Sequence, residues 1–461
     1  MSEAFLGIDL NGIHDRWALL EGDKELSFSE GGGVVPSVVV APHGKSSGPL
    51  AGEEALMAIE GRGWKWPEEA AGPDSDNRCR RIPLKTVLET MAGRTGDGSG
   101  YRAKEIEVAK GEALGFSRLI GAHISHLISK PATSAVIAIP DCVDETFQQR
   151  VLESRYELGL QTISLLWRPV AMLLAWAQDL AKGELLTLHN SKVLVMYLDA
   201  SGLQASILDL EVQETKSGPL LTPVRSEAGI GFMEGGNPLY EFVKKISGSH
   251  PGTASGHSLE WQMLWGGGLI WRGLLGLPPK AELIQEANGR WLLMDPVSYS
   301  VSEEGQEDFI ASFENVLARL AKNDLSQVDQ VLIGGPFLGI PCVGNQGMAS
   351  LMRQAALKRL TKTPPEVSVH ILSDSVTKGC MTSASARGAA ISGWRLAHEL
   401  PTYYDFLPQL RINAEVEDKP EFVDLVPKNT NRIPGGADFS QTVTERFVIK
   451  AGTGKLHFYP P

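Results

Sequence analysis

Two stretches of this chain, 190 positions apart, follow one plan: an apolar strand, a turn carrying an aspartate, and a second strand. The first is "FLGIDLNGIHDRWALLEGD", which starts at Phe5 and places Asp9 at the turn; the second is "SKVLVMYLDASGLQASILDLEV" (191–212), with Asp199. A repeated supersecondary unit predicts an internally duplicated fold, in which each copy buries its apolar face against equivalent partners. In the first copy Asn11-Gly12 suits a two-residue type I′ turn between strands at 5–10 and 13–20, because both residues tolerate positive φ.

The remaining punctuation predicts a layered α/β chain. "SAVIAIP" (134–140) is a short continuous apolar run, the mark of a strand covered on both faces. A helix is expected from about Asp144 to Leu158, then a strand "TISLLW" (162–167). Pro169 suits the first turn of a further helix ending at Gly183. Residues 308–322 place Phe309, Phe313, Val316, Leu317 and Leu320 on one helical face. They lead into the strand of "VDQVLIGGPFLGIP", and a closing helix follows at 384–400. Residues 60–103 hold no long periodic run and read as an exposed insertion. Beyond Pro401 the text turns strand-like: "QLRINAEV", "EFVDLVPKN", "FSQTVTERFVIK" and "GKLHFYP".

Composition narrows the classes. With 461 residues and 43% hydrophobic content the chain can bury a large core over two or three domains. The net charge of −12 argues against a general binder of nucleic-acid backbone. The four cysteines form no CxxC pair, so neither a zinc site nor a disulfide framework is signalled. No apolar stretch is long enough to span a bilayer. A cytoplasmic protein with neither nucleic acid nor membrane as partner is expected.

The order of the pieces resembles the actin-fold ATPase superfamily, and more narrowly the DnaK-type heat-shock chaperones. The family's first phosphate hairpin is similar to "GIDLNGIHDRWAL" and its second to "VLVMYLDASGLQASILDLE". "VVPSVVV", "LAGEEAL", the run from "SAVIAIP" to "WRPVAMLLAW", "VLIGGPFLGIP" and "ARGAAI" match further family pieces in order. "LVPKNTNRIP" (425–434) resembles a stretch of the family's peptide-binding β domain.

The resemblance implies a fold of two lobes built from duplicated ribonuclease-H-like units, followed by a small all-β half-sandwich. Lobe I would span 1–190, with the insertion at about 60–103. Lobe II would span 191–399, its closing helix at 384–399 returning to lobe I. Residues 400–461 would form a truncated substrate-binding β domain without the helical lid. Missing strands imply a covering partner, such as a second DnaK-like chain, alongside a protein partner or client.

The resemblance also implies ATP or ADP with Mg²⁺ between the lobes. Asp9 and Asp199 would hold the hydrated metal or the attacking water, as phosphoryl transfer rests on placement and electrostatics. The alternative for each is a turn aspartate bonded to its own backbone. Nucleotide contacts would fall to Asn11, Gly12, Ile13, Gly202, Gly229, Gly231, Gly334, Gly335 and Arg272.

The chemistry of these loops departs from the family pattern. Ile13 stands where a hydroxyl should face phosphate, and the second turn is short, with Leu203 beside Gly202. Arg168 replaces the carboxylate before the helix-initiating proline and cannot serve as a base. Arg168 is a candidate contact for a phosphate or a carboxylate, and Lys85 for a phosphate, with a surface or lobe-contact arginine as the alternative for the first. The expected function is that of a DnaK-like, chaperone-related module with weak or lost ATPase, acting through protein–protein binding. An active ATP-dependent chaperone is the alternative, and an actin-like filament protein is further off.

Overall fold

The computed structural model describes residues 4–9, 14–21, 31–36, 38–42, 50–51, 79–83, 134–143, 148, 151–152, 162–199, 202–216, 218–231, 282–285, 289–294, 300–320, 325–338, 340–344, 346–360, 366–372, 375–377, 380–406, 410–416, 419–426, 432–435 and 458–459. In chain order the strands β1 (Ala4–Asp9), β2 (His14–Glu21), β3 (Gly31–Pro36), β4 (Val38–Pro42), β5 (Leu50–Ala51), β6 (Cys79–Pro83), β7 (Ser134–Ile139) and β8 (Thr162–Trp167) come first. Helices α1 (Arg168–Gln178) and α2 (Lys182–Thr187) follow, then β9 (Lys192–Asp199), β10 (Gly202–Thr215), β11 (Gly218–Val224), β12 (Ile230–Gly231) and the hairpin β13 (Glu282–Gln285) with β14 (Trp291–Met294). Helix α3 (Glu303–Leu320), β15 (Val328–Gly334), the short pair β16 (Pro341–Cys342) and β17 (Gln346–Gly347), α4 (Met348–Arg359) and β18 (Ser368–Leu372) come next. The hairpin β19 (Ser375–Thr377) and β20 (Cys380–Thr382) precedes α5 (Ala384–Ala397). The last strands are β21 (Tyr404–Asp405), β22 (Leu410–Val416), β23 (Lys419–Val426), β24 (Ile433–Pro434) and β25 (Phe458–Tyr459).

The architecture is mixed α/β, and its two large sheets repeat one topology. The first runs β3-β2-β1-β7-β8; the second contains β11-β10-β9-β15-β18. In each, three consecutive strands form an antiparallel meander, the first of them pairs parallel with a later strand, and that strand pairs parallel with one later still. β1 and β9 hold the same place in the two copies, so Asp9 and Asp199 end equivalent strands.

Strand alternation divides the core. In β9, Leu194, Met196 and Leu198 pack with Phe313 and Leu317 of α3 and Leu351 of α4. Val193, Val195 and Tyr197 point the other way, into the cluster of Met172, Leu173 and Trp176 on α1. Every residue of α1 from Arg168 to Ala177 is buried. The five apolar positions expected on one face at 308–322 are all buried in α3.

Helices α1 and α5 cross back to back. A side chain at Gly388 would overlap the Ala171 carbonyl, and one at Gly7 would overlap the Ala386 carbonyl and the Ala390 nitrogen. Glycine here lets α5 sit with its backbone against both α1 and β1.

Several expectations need correction. The helix after Pro169 stops at Gln178, not Gly183, and α2 begins separately because Glu184 accepts the Ala181 N–H at 2.8 Å. Asn11-Gly12 lies outside the described residues. The described register sets Asp9 opposite Arg16, two positions past the His14 that a two-residue loop at those positions would place there. β22 and β23 form an antiparallel hairpin whose last pair is Val416 with Lys419. β21 and β24, within the 400–461 stretch expected as a separate β domain, extend the second sheet, since β21 pairs with β11 and β24 pairs with β21. Among the described residues no helix is long and apolar enough to cross a membrane.

Candidate functional site

The two equivalent aspartates meet at the joint between the sheets, where the N-termini of α1 and α5 also arrive. Arg168, the first residue of α1, reaches both. Its Nε donates to Asp9 Oδ1 at 3.0 Å, and its Nη1 donates to Asp199 Oδ2 and to Gln204 Oε1, each at 2.8 Å. Gln204 returns a bond from Nε2 to Asp199 Oδ2 at 2.9 Å. The guanidinium lies 4.4 Å from the centre of the Tyr197 ring, within cation–π range. Asp9 Oδ2 accepts from the Tyr197 hydroxyl, from Ser385 Oγ, and from Ser383 Oγ at 3.3 Å. Ser383 is also the N-cap of α5, its Oγ accepting the Ala386 N–H at 3.2 Å.

These groups are out of solvent: Arg168 and Asp9 are 0% exposed, and Asp199 is 2%. Burial alone would lower the Arg168 pKa, but the charges of Asp9, Tyr197 and Asp199 outweigh it and hold the group above its ordinary value. Burial, and then the Asp9 carboxylate, push the Tyr197 phenol well above its usual range, so it stays a neutral donor. Arg16, opposite Asp9 on β2, is 1% exposed. Burial lowers its pKa, opposed by Tyr197 and Asp9, and it remains a cation. Two carboxylates thus face two guanidiniums.

This balance does not fit a Mg²⁺ held by Asp9 and Asp199. A divalent ion prefers carboxylate oxygens with lone pairs to spare and no competing cation. Here Arg168 stands between the carboxylates and occupies an oxygen of each. Among the described residues no group of three or more His, Cys, Asp or Glu side chains is arranged to hold a metal. Arg168, expected as a candidate contact for a phosphate or a carboxylate, directs its donors to the chain's own acids.

Three of the glycines expected to approach phosphate lie against protein atoms. A Cβ on Gly229 would meet Ser206 Oγ and Asp141 Oδ2; on Gly334, the Met172 methyl; on Gly335, the Leu198 backbone. Gly335 has φ +126° and Gly202 φ +108°, conformations that glycine adopts without strain. Gly202 pairs with Asp199 at the turn of the second hairpin. Gly231 pairs with Gln204. Asn11, Gly12, Ile13, Lys85 and Arg272 lie outside the described residues.

A second buried network stands beside the first. Asp141, just past β7, accepts from Arg225 Nε at 2.6 Å, Ser206 Oγ at 2.7 Å and the Gly229 N–H at 3.0 Å. Burial pushes its pKa from 3.8 up to about 6, against the pull of Arg225 and Ser206. The folded chain therefore binds this proton more tightly than the unfolded chain. The resulting penalty is absent below about pH 3.8, grows through pH 6, and reaches on the order of 3 kcal/mol above it. Thermal melts of the native chain and Asp141→Asn should diverge accordingly: the native Tm falls relative to the variant as pH rises from 4 to 8. A constant difference would refute this.

Reading the sequence by position missed Tyr197, Gln204, Ser383, Ser385, Arg16, Asp141 and Arg225. One signal was available: Tyr197 and Gln204 each stand between apolar neighbours, Met196 and Leu198 in β9 and Leu203 and Ala205 in β10, and they are cross-strand partners.

No family model and no curated protein matches this chain. Among solved structures, it is similar to one described as the MamK double helical filament, with 16% identity over 87% of this chain and 100% of that chain, and a TM-score of 0.48.

Proposed function

We propose that this protein is a degenerate, DnaK-like module of the actin-like ATPase type that works by binding another protein and does not hydrolyse nucleotide. One observation carries the reading: the Arg168 guanidinium bridges Asp9 and Asp199, the two residues that would otherwise organise Mg²⁺ and water. Phosphoryl transfer needs those charges directed at metal and phosphate. Here they are neutralised inside the chain. The repeated sheet topology supports a two-lobed body that has kept its shape while its site chemistry changed.

The partner is a protein client or a second chain of the same type, which would cover the three-stranded sheet β23-β22-β25. On that sheet Phe422 is 57% exposed while Val423 is buried. With ATP and Mg²⁺, phosphate release should match the blank. Turnover abolished by Asp199→Ala would overturn the proposal.

A further inference from the structure

We infer that residues 401–405 are a latch that fixes the C-terminal segment to the body by the chain's own ion pairs, with Arg225 as the positioning residue. The segment is held from several sides. On one, the Arg225 N–H donates to the Tyr404 carbonyl at 2.9 Å as β21 joins the outer edge of β11. On the other, β24 pairs with β21, and the Gly435 N–H donates to the Tyr403 carbonyl at 2.8 Å. At its start, Arg395 of α5 donates Nη1 to the Pro401 carbonyl at 3.2 Å and to the Leu221 carbonyl at 2.8 Å.

Side chains complete the hold. Arg225 Nη1 donates to Asp405 Oδ1 at 2.7 Å while its Nε holds Asp141. Its plane lies 4.2 Å from the Trp167 ring centre and 4.7 Å from that of Phe406. Trp167 Nε1 donates to Asp405 Oδ2 at 2.9 Å, and the Tyr403 hydroxyl reaches the same oxygen at 3.4 Å. Gln213 Nε2 donates to the Tyr404 hydroxyl at 3.0 Å, and Arg432 pairs with Glu211.

One buried guanidinium therefore joins Asp141 of the first sheet's side to Asp405 of the latch, with Trp167 of β8 stacked on it. Strand addition supplies main-chain bonds of little selectivity, and the shared arginine and its acids set the register. Among the described residues the latch is held by side chains and backbone of the chain itself. Closure independent of nucleotide is the expected result, whether or not the functional reading above is right.

Amide hydrogen exchange on the full-length protein tests this. In the native chain the Arg225 and Gly435 amides should be protected to the same degree with and without ATP and Mg²⁺. In Asp405→Asn they should exchange about a hundredfold faster, while Leu194 and Leu332 in the sheet centre stay unchanged. Arg225→Met should repeat the effect; should it fail to fold, Asp405→Asn alone decides. Fast exchange at Arg225 and Gly435 in the native chain, protection unaltered by Asp405→Asn, or release on adding ATP and Mg²⁺ would each overturn the inference.

Discussion

Arg168→Met is expected to destabilise the protein by roughly 3–5 kcal/mol, because it leaves two carboxylates buried beside one another without the cation between them. Asp9 would lose its bond at Oδ1, Asp199 would lose one of its donors, and Gln204 would lose the partner of its carbonyl. Desolvation makes such a deletion far costlier than the pair's own net worth, since each carboxylate has already given up its water. The contrast is the double variant Asp199→Asn, Arg168→Met. It removes one charge of each sign and leaves Asp9 beside the Arg16 cation, so it should recover much of the loss. Urea denaturation of the two variants checks the pair. An Arg168→Met protein as stable as the native chain would show that the guanidinium does not hold the joint.

Gly388→Val should be at least as damaging, about 4 kcal/mol or more, and is expected to reduce soluble yield severely. The new side chain would run into the Ala171 backbone on α1, and neither crossing helix has room to move: α1 is buried throughout, and α5 lies on Gly7 of β1 from its other side. Overlap with backbone cannot be relieved by a rotamer change. Gly183→Ala is the control. It lies in α2 with nothing within 4 Å of the added methyl, so it should be neutral or stabilising by up to about 1 kcal/mol. Equal loss of stability in both variants would show that close helix crossing is not what Gly388 serves.

Much of the scaffold was readable from the sequence because local rules dominate there. "TISLLW" is β8 without a residue's error, and the five apolar positions of α3 were placed by helical period alone. The duplication was legible from Asp9 and Asp199, because strand–turn–strand units repeat visibly even where identities do not. The chemistry of the joint was not legible. Arg168 lies 159 positions from Asp9 and Ser385 lies 376 from it, so no spacing rule connects them. Its place before a proline marked Arg168 as an anion contact, phosphate or carboxylate, without saying which. Its actual partners follow from where α1 points once the two sheets are joined. The start of the tail was placed in a separate β domain for a similar reason: nothing local in "TYYDF" shows that β11 offers it an edge.

The tethered cation at the joint has a thermodynamic consequence. A protein that balances buried acids with a bound ion carries a stability that rises with the logarithm of free ligand concentration. A side chain contributes no such dependence, because its supply is fixed by the covalent chain. With Arg168 in that place, the charges of Asp9 and Asp199 are balanced by a group that is present in every folded molecule at a fixed ratio.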